Sequence, residues 1–113
     1  MIDYSIRTFI QTPVFSKKWD EMGMTDDDLR LLENIILRDP KAAPAIQGTG
    51  GLRKIRIPYG NNGKRSGGRV IYIDIDVKET IYLLDIYVKN EKIDLSDNEK
   101  KLLKKLVDLL REE

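Results

Sequence analysis

The residues of this chain best suited to chemistry are three cations. Lys54 and Arg56 flank Ile55 in a segment typical of a β-strand, so both side chains point to one face. Arg69 begins the next β-like segment, after a glycine-rich loop. A hairpin between these segments would bring the three cations toward one patch. Such a patch is suited to binding phosphate, because guanidinium groups can donate two hydrogen bonds to phosphate oxygens.

The charge around these residues is unevenly distributed. No acidic residue occurs in residues 40–73, whereas the rest of the chain holds 13 basic and 19 acidic residues. If the fold keeps this segment on one face, that face attracts phosphates or an acidic partner. Chance segregation of charge is the alternative, and Asp85 could still neutralise one of the cations. The segment carries seven cations: Lys41, Arg53, Lys54, Arg56, Lys64, Arg65 and Arg69.

Several kinds of chemistry are excluded by composition. The chain has no Cys and no His, which removes disulfides, Cys-rich zinc sites and Cys- or His-based nucleophilic catalysis. Two acidic groups, Asp26–Asp28 and Asp74 with Asp76, could suggest a metal site. A helix start and a solvated strand end explain them better, so we predict no metal and no cofactor.

Length and hydropathy predict one small domain over residues 1–113. Charged residues make up 35% of the chain, and no apolar run approaches the roughly 20 residues of a membrane span. The first residues also lack the basic start and apolar stretch of a signal peptide. We therefore expect a cytoplasmic protein that does not contact membranes.

The pattern of elements predicts an α+β fold. The three closing strands are joined too tightly for parallel crossovers, so we expect an antiparallel sheet of about four strands. Two N-terminal helices and one C-terminal helix would cover one face in a two-layer domain, with the other face open to solvent. The predicted elements are a strand at 4–10, a helix after Thr12-Pro13, a helix from Thr25 to Asp39, strands at 52–57, 69–76 and 80–89, and a helix after the capping box Ser96/Glu99.

Several motifs then resemble a known family. The chain resembles the HigB-type branch of the RelE/ParE toxin superfamily, in a match that spans nearly its whole length. The most specific part is G-T-G-G-L-R-K at 48–54 followed by G-G-R-V-I-Y at 67–72. Shorter matching segments lie at 11–15, 63–66, 82–84, 87–90 and 94–96.

The resemblance implies a RelE-like fold and a toxin of a type II toxin–antitoxin pair. Such a toxin enters the ribosomal A site and cleaves mRNA through attack of the ribose 2′-hydroxyl, without metal or cofactor. The implied partners are the 70S ribosome, mRNA and a HigA-type helix-turn-helix antitoxin.

The family motifs also imply a set of site residues. Lys54 and Arg56 match the cationic strand pair, and Arg69 matches the arginine that begins R-[LV]-[VI]-Y. A later family arginine falls at Asn90, just after Lys89, and the family's last tyrosine has no counterpart in residues 91–94.

We expect Arg56 and Arg69 to bind the scissile phosphate and Lys54 to act as base. Tyr87 or Lys89 would donate a proton. The residues expected to bind RNA or the ribosome are Arg53, Lys64, Arg65 and Asn90.

Two other functions remain open at this stage. A ParE-like toxin would inhibit DNA gyrase by binding, without RNA chemistry. A small RNA-binding regulator would use the same basic face for docking alone, with salt-sensitive RNA binding and no cleavage.

Overall fold

The computed structural model describes residues 7–59, 67–89 and 94–112. These residues form three helices and four strands in the predicted order, which confirms the α+β class. Of the predicted opening strand at 4–10, residues 4–6 lie outside the described part of the chain. The elements are β1 (Thr8–Gln11), α1 (Pro13–Glu21), α2 (Asp26–Arg38), β2 (Arg53–Ile57), β3 (Gly68–Ile75), β4 (Thr80–Val88) and α3 (Asp97–Glu112).

The four strands form one sheet in the order β1-β4-β3-β2. Strands β2, β3 and β4 form the predicted antiparallel meander. Strand β1 instead runs parallel to β4, with Thr8 opposite Thr80, so the expectation of a wholly antiparallel sheet is corrected to a mixed one. Tight turns exclude parallel pairing only between consecutive strands, and β1 is separated from β4 by most of the chain.

Both faces of the sheet are covered by helices, which corrects the predicted two-layer arrangement with one open face. Helices α1 and α2 bury Phe15 and Ile36 against Tyr72 on one face. Helix α3 buries Val107 against Ile71 on the other. The reason lies in β3 and β4, which are apolar on both sides, so each side needs its own cover.

The helix starts follow the predicted capping chemistry. The Thr12 hydroxyl accepts a hydrogen bond from the Phe15 amide at 3.1 Å. Asp28 closes a capping box with Thr25, and Asp27 pairs with Arg30, so these acids serve helix α2. In the described parts of the chain, no helix is both long and apolar enough to cross a bilayer.

A β-bulge in β4 decides which way Tyr87 points. Ile71 lies opposite Asp85 and Tyr72 lies opposite Leu83, which leaves Leu84 as the extra residue. Before the bulge, the odd-numbered residues of β4 face α1 and α2; after it, Tyr87 faces α3. The bulge therefore places Tyr87 on the same face as its cross-strand partner Arg69.

Candidate functional site

Four of the predicted site residues lie together on the α3 side of the sheet. Arg56 pairs with Arg69 across β2 and β3, and Arg69 pairs with Tyr87 across β3 and β4. Lys54 lies on the same face of β2, two residues from Arg56. Directly paired residues have Cβ atoms about 5 Å apart, so the four side chains start from one small area. We call Lys54, Arg56, Arg69 and Tyr87 the cationic cluster.

Two glycines allow β2 and β3 to approach closely beside this cluster. A Cβ atom on Gly67 would lie 2.7 Å from the Tyr59 carbonyl oxygen, and one on Gly68 would lie 2.9 Å from Ile57 Cγ1. Side chains at either position would push the strands apart. The glycines thus set the position of Arg69, the residue that follows them.

The cations of the cluster differ in accessibility. Arg69 is only 5% exposed, and its guanidinium donates a hydrogen bond to the Gly68 carbonyl at 3.1 Å. Arg56 is exposed, and the Lys54 side chain is 28% exposed. The cluster therefore combines a guanidinium held in place by its surroundings with two cations on the edge strand that solvent can reach.

A carboxylate just before α3 lies beside the cluster. Asp94 Oδ1 is 3.4 Å from Lys54 Nζ and also accepts a hydrogen bond from the Leu95 amide at 2.8 Å. The Leu95 bond, aided by Lys54, lowers the pKa of Asp94 despite partial burial. Sequence reasoning missed this residue, although its position just before the Ser96/Glu99 capping box was a usable signal. Asp85, the acid that the sequence offered as a partner for these cations, instead pairs with Lys18 of α1 at 2.8 Å.

The hydroxyl of Tyr87 is buried on the α3 side of the sheet. Burial raises its pKa, and the charge of Asp94 acts in the same direction while Arg69 opposes it. The hydroxyl is therefore protonated at neutral pH. Lys89 is exposed just beyond the end of β4, where its backbone amide donates to the Gly67 carbonyl at 2.9 Å.

The remaining predicted residues lie elsewhere. Arg53 is on the opposite face of β2 and donates hydrogen bonds to the carbonyls of Lys41 and Ala43, at 2.8 and 2.7 Å. The described cations of this segment are thus divided between two faces of the sheet rather than gathered on one. Lys64, Arg65 and Asn90 lie outside the described residues.

A second charged group lies at the other end of β3. Arg7 contacts Asp74 at 2.8 Å and Asp76 at 3.1 Å, and Lys41 contacts Asp76 at 2.7 Å. Burial raises the pKa of Asp74, while the hydrogen bond from Lys41 is the main cause that lowers the pKa of Asp76. We call these four residues the Arg7 network. Its carboxylates are engaged in ion pairs.

An open groove of about 420 Å³ borders the cluster along the outer side of β2. Most of the groove lies on the α2 side of the sheet, since Ile55 and Tyr72 face that side, and Lys54 and Arg56 form its border with the cluster. The groove is lined by Ile35, Asp39, Ala42, Ala43, Pro44, Lys54, Ile55, Arg56 and Tyr72.

Comparison with known proteins yields solved structures but no matching family model. A double arginine-to-alanine mutant of the E. coli toxin RelE in the free state is 17% identical with a TM-score of 0.58, over 78% of this chain and 88% of that chain. The isolated E. coli RelE toxin is 17% identical with a TM-score of 0.56, over 88% and 98%. The intact E. coli RelBE toxin–antitoxin complex is 18% identical with a TM-score of 0.54, over 71% of this chain and 93% of that chain. At these identities the similarity concerns architecture, and it confirms that this chain has a RelE-like fold.

Proposed function

We propose that this protein is the toxin of a type II toxin–antitoxin pair, of the HigB type. It would act as a ribosome-dependent endoribonuclease that cleaves mRNA in the A site. The observation that carries the proposal is the row of Arg56, Arg69 and Tyr87 across three strands, with Lys54 beside it. The RelE-like fold supports it, because toxins and a toxin–antitoxin complex are among the structures it resembles.

The proposed reaction needs only phosphate-binding cations and a proton donor. The ribose 2′-oxygen forms a bond to the adjacent phosphorus while the bond from phosphorus to the 5′-oxygen breaks. Negative charge builds on the phosphoryl oxygens, where Arg56 and Arg69 would stabilise it. The products are a 2′,3′-cyclic phosphate and a 5′-hydroxyl.

The other roles follow from the neighbours of each side chain. Tyr87 would donate its proton to the departing 5′-oxygen, since burial keeps the hydroxyl protonated. Lys89, at the exposed end of β4, is the second candidate donor. Lys54 forms an ion pair with Asp94, so we assign it to the phosphate as a cation rather than as the base. The 2′-proton would then pass to solvent water.

The proposal is tested on ribosomes translating a defined mRNA. Wild-type protein should cut the mRNA in the A-site codon and leave a 2′,3′-cyclic phosphate. The Lys54→Ala/Arg69→Ala variant should lose cleavage, whereas the charge-matched Lys17→Ala/Arg30→Ala variant should keep it, because both of those side chains are exposed on helices.

Cleavage by the folded Lys54→Ala/Arg69→Ala protein at the wild-type rate would contradict the proposal. A supercoiling assay with DNA gyrase separates the ParE-like alternative. Tight, salt-sensitive RNA binding without any cleavage would instead identify a docking protein.

A further inference from the structure

We propose that Asp94 competes with the RNA phosphate for Lys54. The affinity of the protein for RNA is then lower than it would be if Lys54 were free of this carboxylate. The inference deepens the proposed function and rests on it. It starts from one contact, the 3.4 Å ion pair between Asp94 Oδ1 and Lys54 Nζ.

The carboxylate is fixed by the start of α3. Asp94 Oδ1 accepts the Leu95 amide at 2.8 Å, and the Leu95 side chain is buried in the core between α3 and the sheet. The next residue, Ser96, forms a reciprocal capping box with Glu99 through bonds of 2.9 and 3.1 Å. Asp94 is therefore anchored by the residues that follow it, and its Oδ1 atom lies beside the cluster.

The contact is also one that a stronger anion can replace. Asp94 is 54% exposed and the Lys54 side chain is 28% exposed, so solvent and a ligand reach the pair from outside. Exposed ion pairs typically contribute less than about 1 kcal/mol. A phosphate that Arg56 and Arg69 also bind can thus displace the Asp94 carboxylate from Lys54. An RNA phosphate that these arginines do not bind competes less well with Asp94, so Lys54 adds less to its affinity.

The chain offers a matched control for this competition. Asp94→Asn removes the charge but keeps a side-chain oxygen that can accept the Leu95 amide. Asp97→Asn makes the same change of charge three residues later, at an exposed position in the first turn of α3. Comparing the two separates the local ion pair from the general effect of one negative charge.

The experiment measures binding of a fluorescent single-stranded RNA of 12 nucleotides by anisotropy, from 50 to 300 mM salt. Asp94→Asn should tighten binding at 100 mM salt by about three- to fivefold. It should also steepen the salt dependence by about 0.7, the change for one further phosphate contact on a single strand. Asp97→Asn should change affinity by less than about twofold. In a Lys54→Gln background the gain from Asp94→Asn should disappear.

Equal gains from Asp94→Asn and Asp97→Asn, no gain at all, or a gain that persists in Lys54→Gln would each overturn the inference. An NMR titration checks the pair without RNA: the pKa of Asp94 should rise in Lys54→Gln, and an unchanged value would overturn the inference even if Asp94→Asn does not fold. The proposed function fails separately, if wild-type protein leaves mRNA intact on translating ribosomes.

Discussion

The two ends of strand β3 carry charged groups of opposite character. At its carboxyl end, the Arg7 network pairs two cations with two carboxylates, and the side chains of Arg7 and Asp74 are 4% and 2% exposed. At its amino end, the cationic cluster gathers Lys54, Arg56 and Arg69 on neighbouring strands. The first group is balanced within the chain, whereas the second gathers cations of which Arg56 is exposed to solvent.

This difference shows how a charged group built for stability differs from one suited to a ligand. In the Arg7 network each carboxylate forms an ion pair with an arginine, so its charge is neutralised within the fold. In the cationic cluster like charges lie side by side, which costs stability unless an anion offsets it. Variants of the Arg7 network should therefore lower stability, whereas variants of the cationic cluster should mainly lower the rate of RNA cleavage.

The largest expected effect is on stability, at the Arg7 network. Arg7→Met leaves the buried Asp74 carboxylate without its guanidinium partner and should lower the free energy of unfolding by about 3–5 kcal/mol at pH 7. Urea denaturation followed by circular dichroism measures the change. The loss should shrink as the pH is lowered, because burial already raises the pKa of Asp74 and protonation removes the buried charge.

Arg30→Met is the control for that variant. Arg30 pairs with Asp27, but the two side chains are 72% and 92% exposed, so the loss should stay below about 1 kcal/mol. Equal losses in the two variants would mean that the Arg7 network contributes no more to the free energy of unfolding than an exposed ion pair does.

The next effect is on the reaction, at the cationic cluster. Arg69→Ala should slow single-turnover cleavage on ribosomes by about 10²–10³-fold, the usual loss for one stabiliser of transition-state charge. Arg53→Ala is the comparison, because Arg53 lies on the other face of the sheet and binds backbone carbonyls. Its cleavage rate per folded molecule should change by less than about threefold. A smaller loss from Arg69→Ala than from Arg53→Ala would reverse the assignment of the two faces.

A third prediction concerns Tyr72, which is buried on the face shared with the Arg7 network. Its hydroxyl donates to the Pro40 carbonyl at 2.7 Å, and burial raises its pKa to about 12. Tyr72→Phe should cost about 1–2 kcal/mol, since the carbonyl loses its partner. The neutral hydroxyl is favoured in the folded protein, so its contribution is complete below pH 10 and lost between pH 10 and 12. Absorbance at 295 nm should show an ionisation step near pH 12 in the wild-type protein that is missing in the variant.

The smallest expected effect is at the exposed edge of the Arg7 network. Lys41 lowers the pKa of Asp76, so this carboxylate stabilises the fold above its ordinary pKa of about 3.9. Asp76→Asn should therefore cost about 0.5–1 kcal/mol at pH 7, because Asp76 is half exposed. The difference from wild type should shrink as the pH falls and vanish once Asp76 is protonated in the folded protein. A difference that remains after this titration is complete would point to a role other than charge.

Much of the fold was predictable because it depends on local patterns. Thr12-Pro13 and the Ser96/Glu99 capping box mark helix starts correctly, and alternation in 53–57 places Lys54 and Arg56 opposite Arg53. These are properties of neighbouring residues, which a single sequence contains.

The features that the sequence did not reveal depend on long-range pairing. The parallel contact of β1 with β4 joins distant segments, and the bulge at Leu84 turns Tyr87 toward Arg69 only because of register. The partners of Lys54 and Asp85 were likewise set by packing: α3 brings Asp94, and α1 brings Lys18.

The proposed role of the cationic cluster is to promote attack by the RNA's own 2′-oxygen. The most direct test gives translating ribosomes an mRNA with a single 2′-deoxynucleotide on the 5′ side of the scissile phosphate. Wild-type protein should then leave that linkage intact while cutting the all-ribose mRNA to a 2′,3′-cyclic phosphate. Cleavage of the deoxy-substituted linkage at the normal rate would contradict attack by the 2′-oxygen.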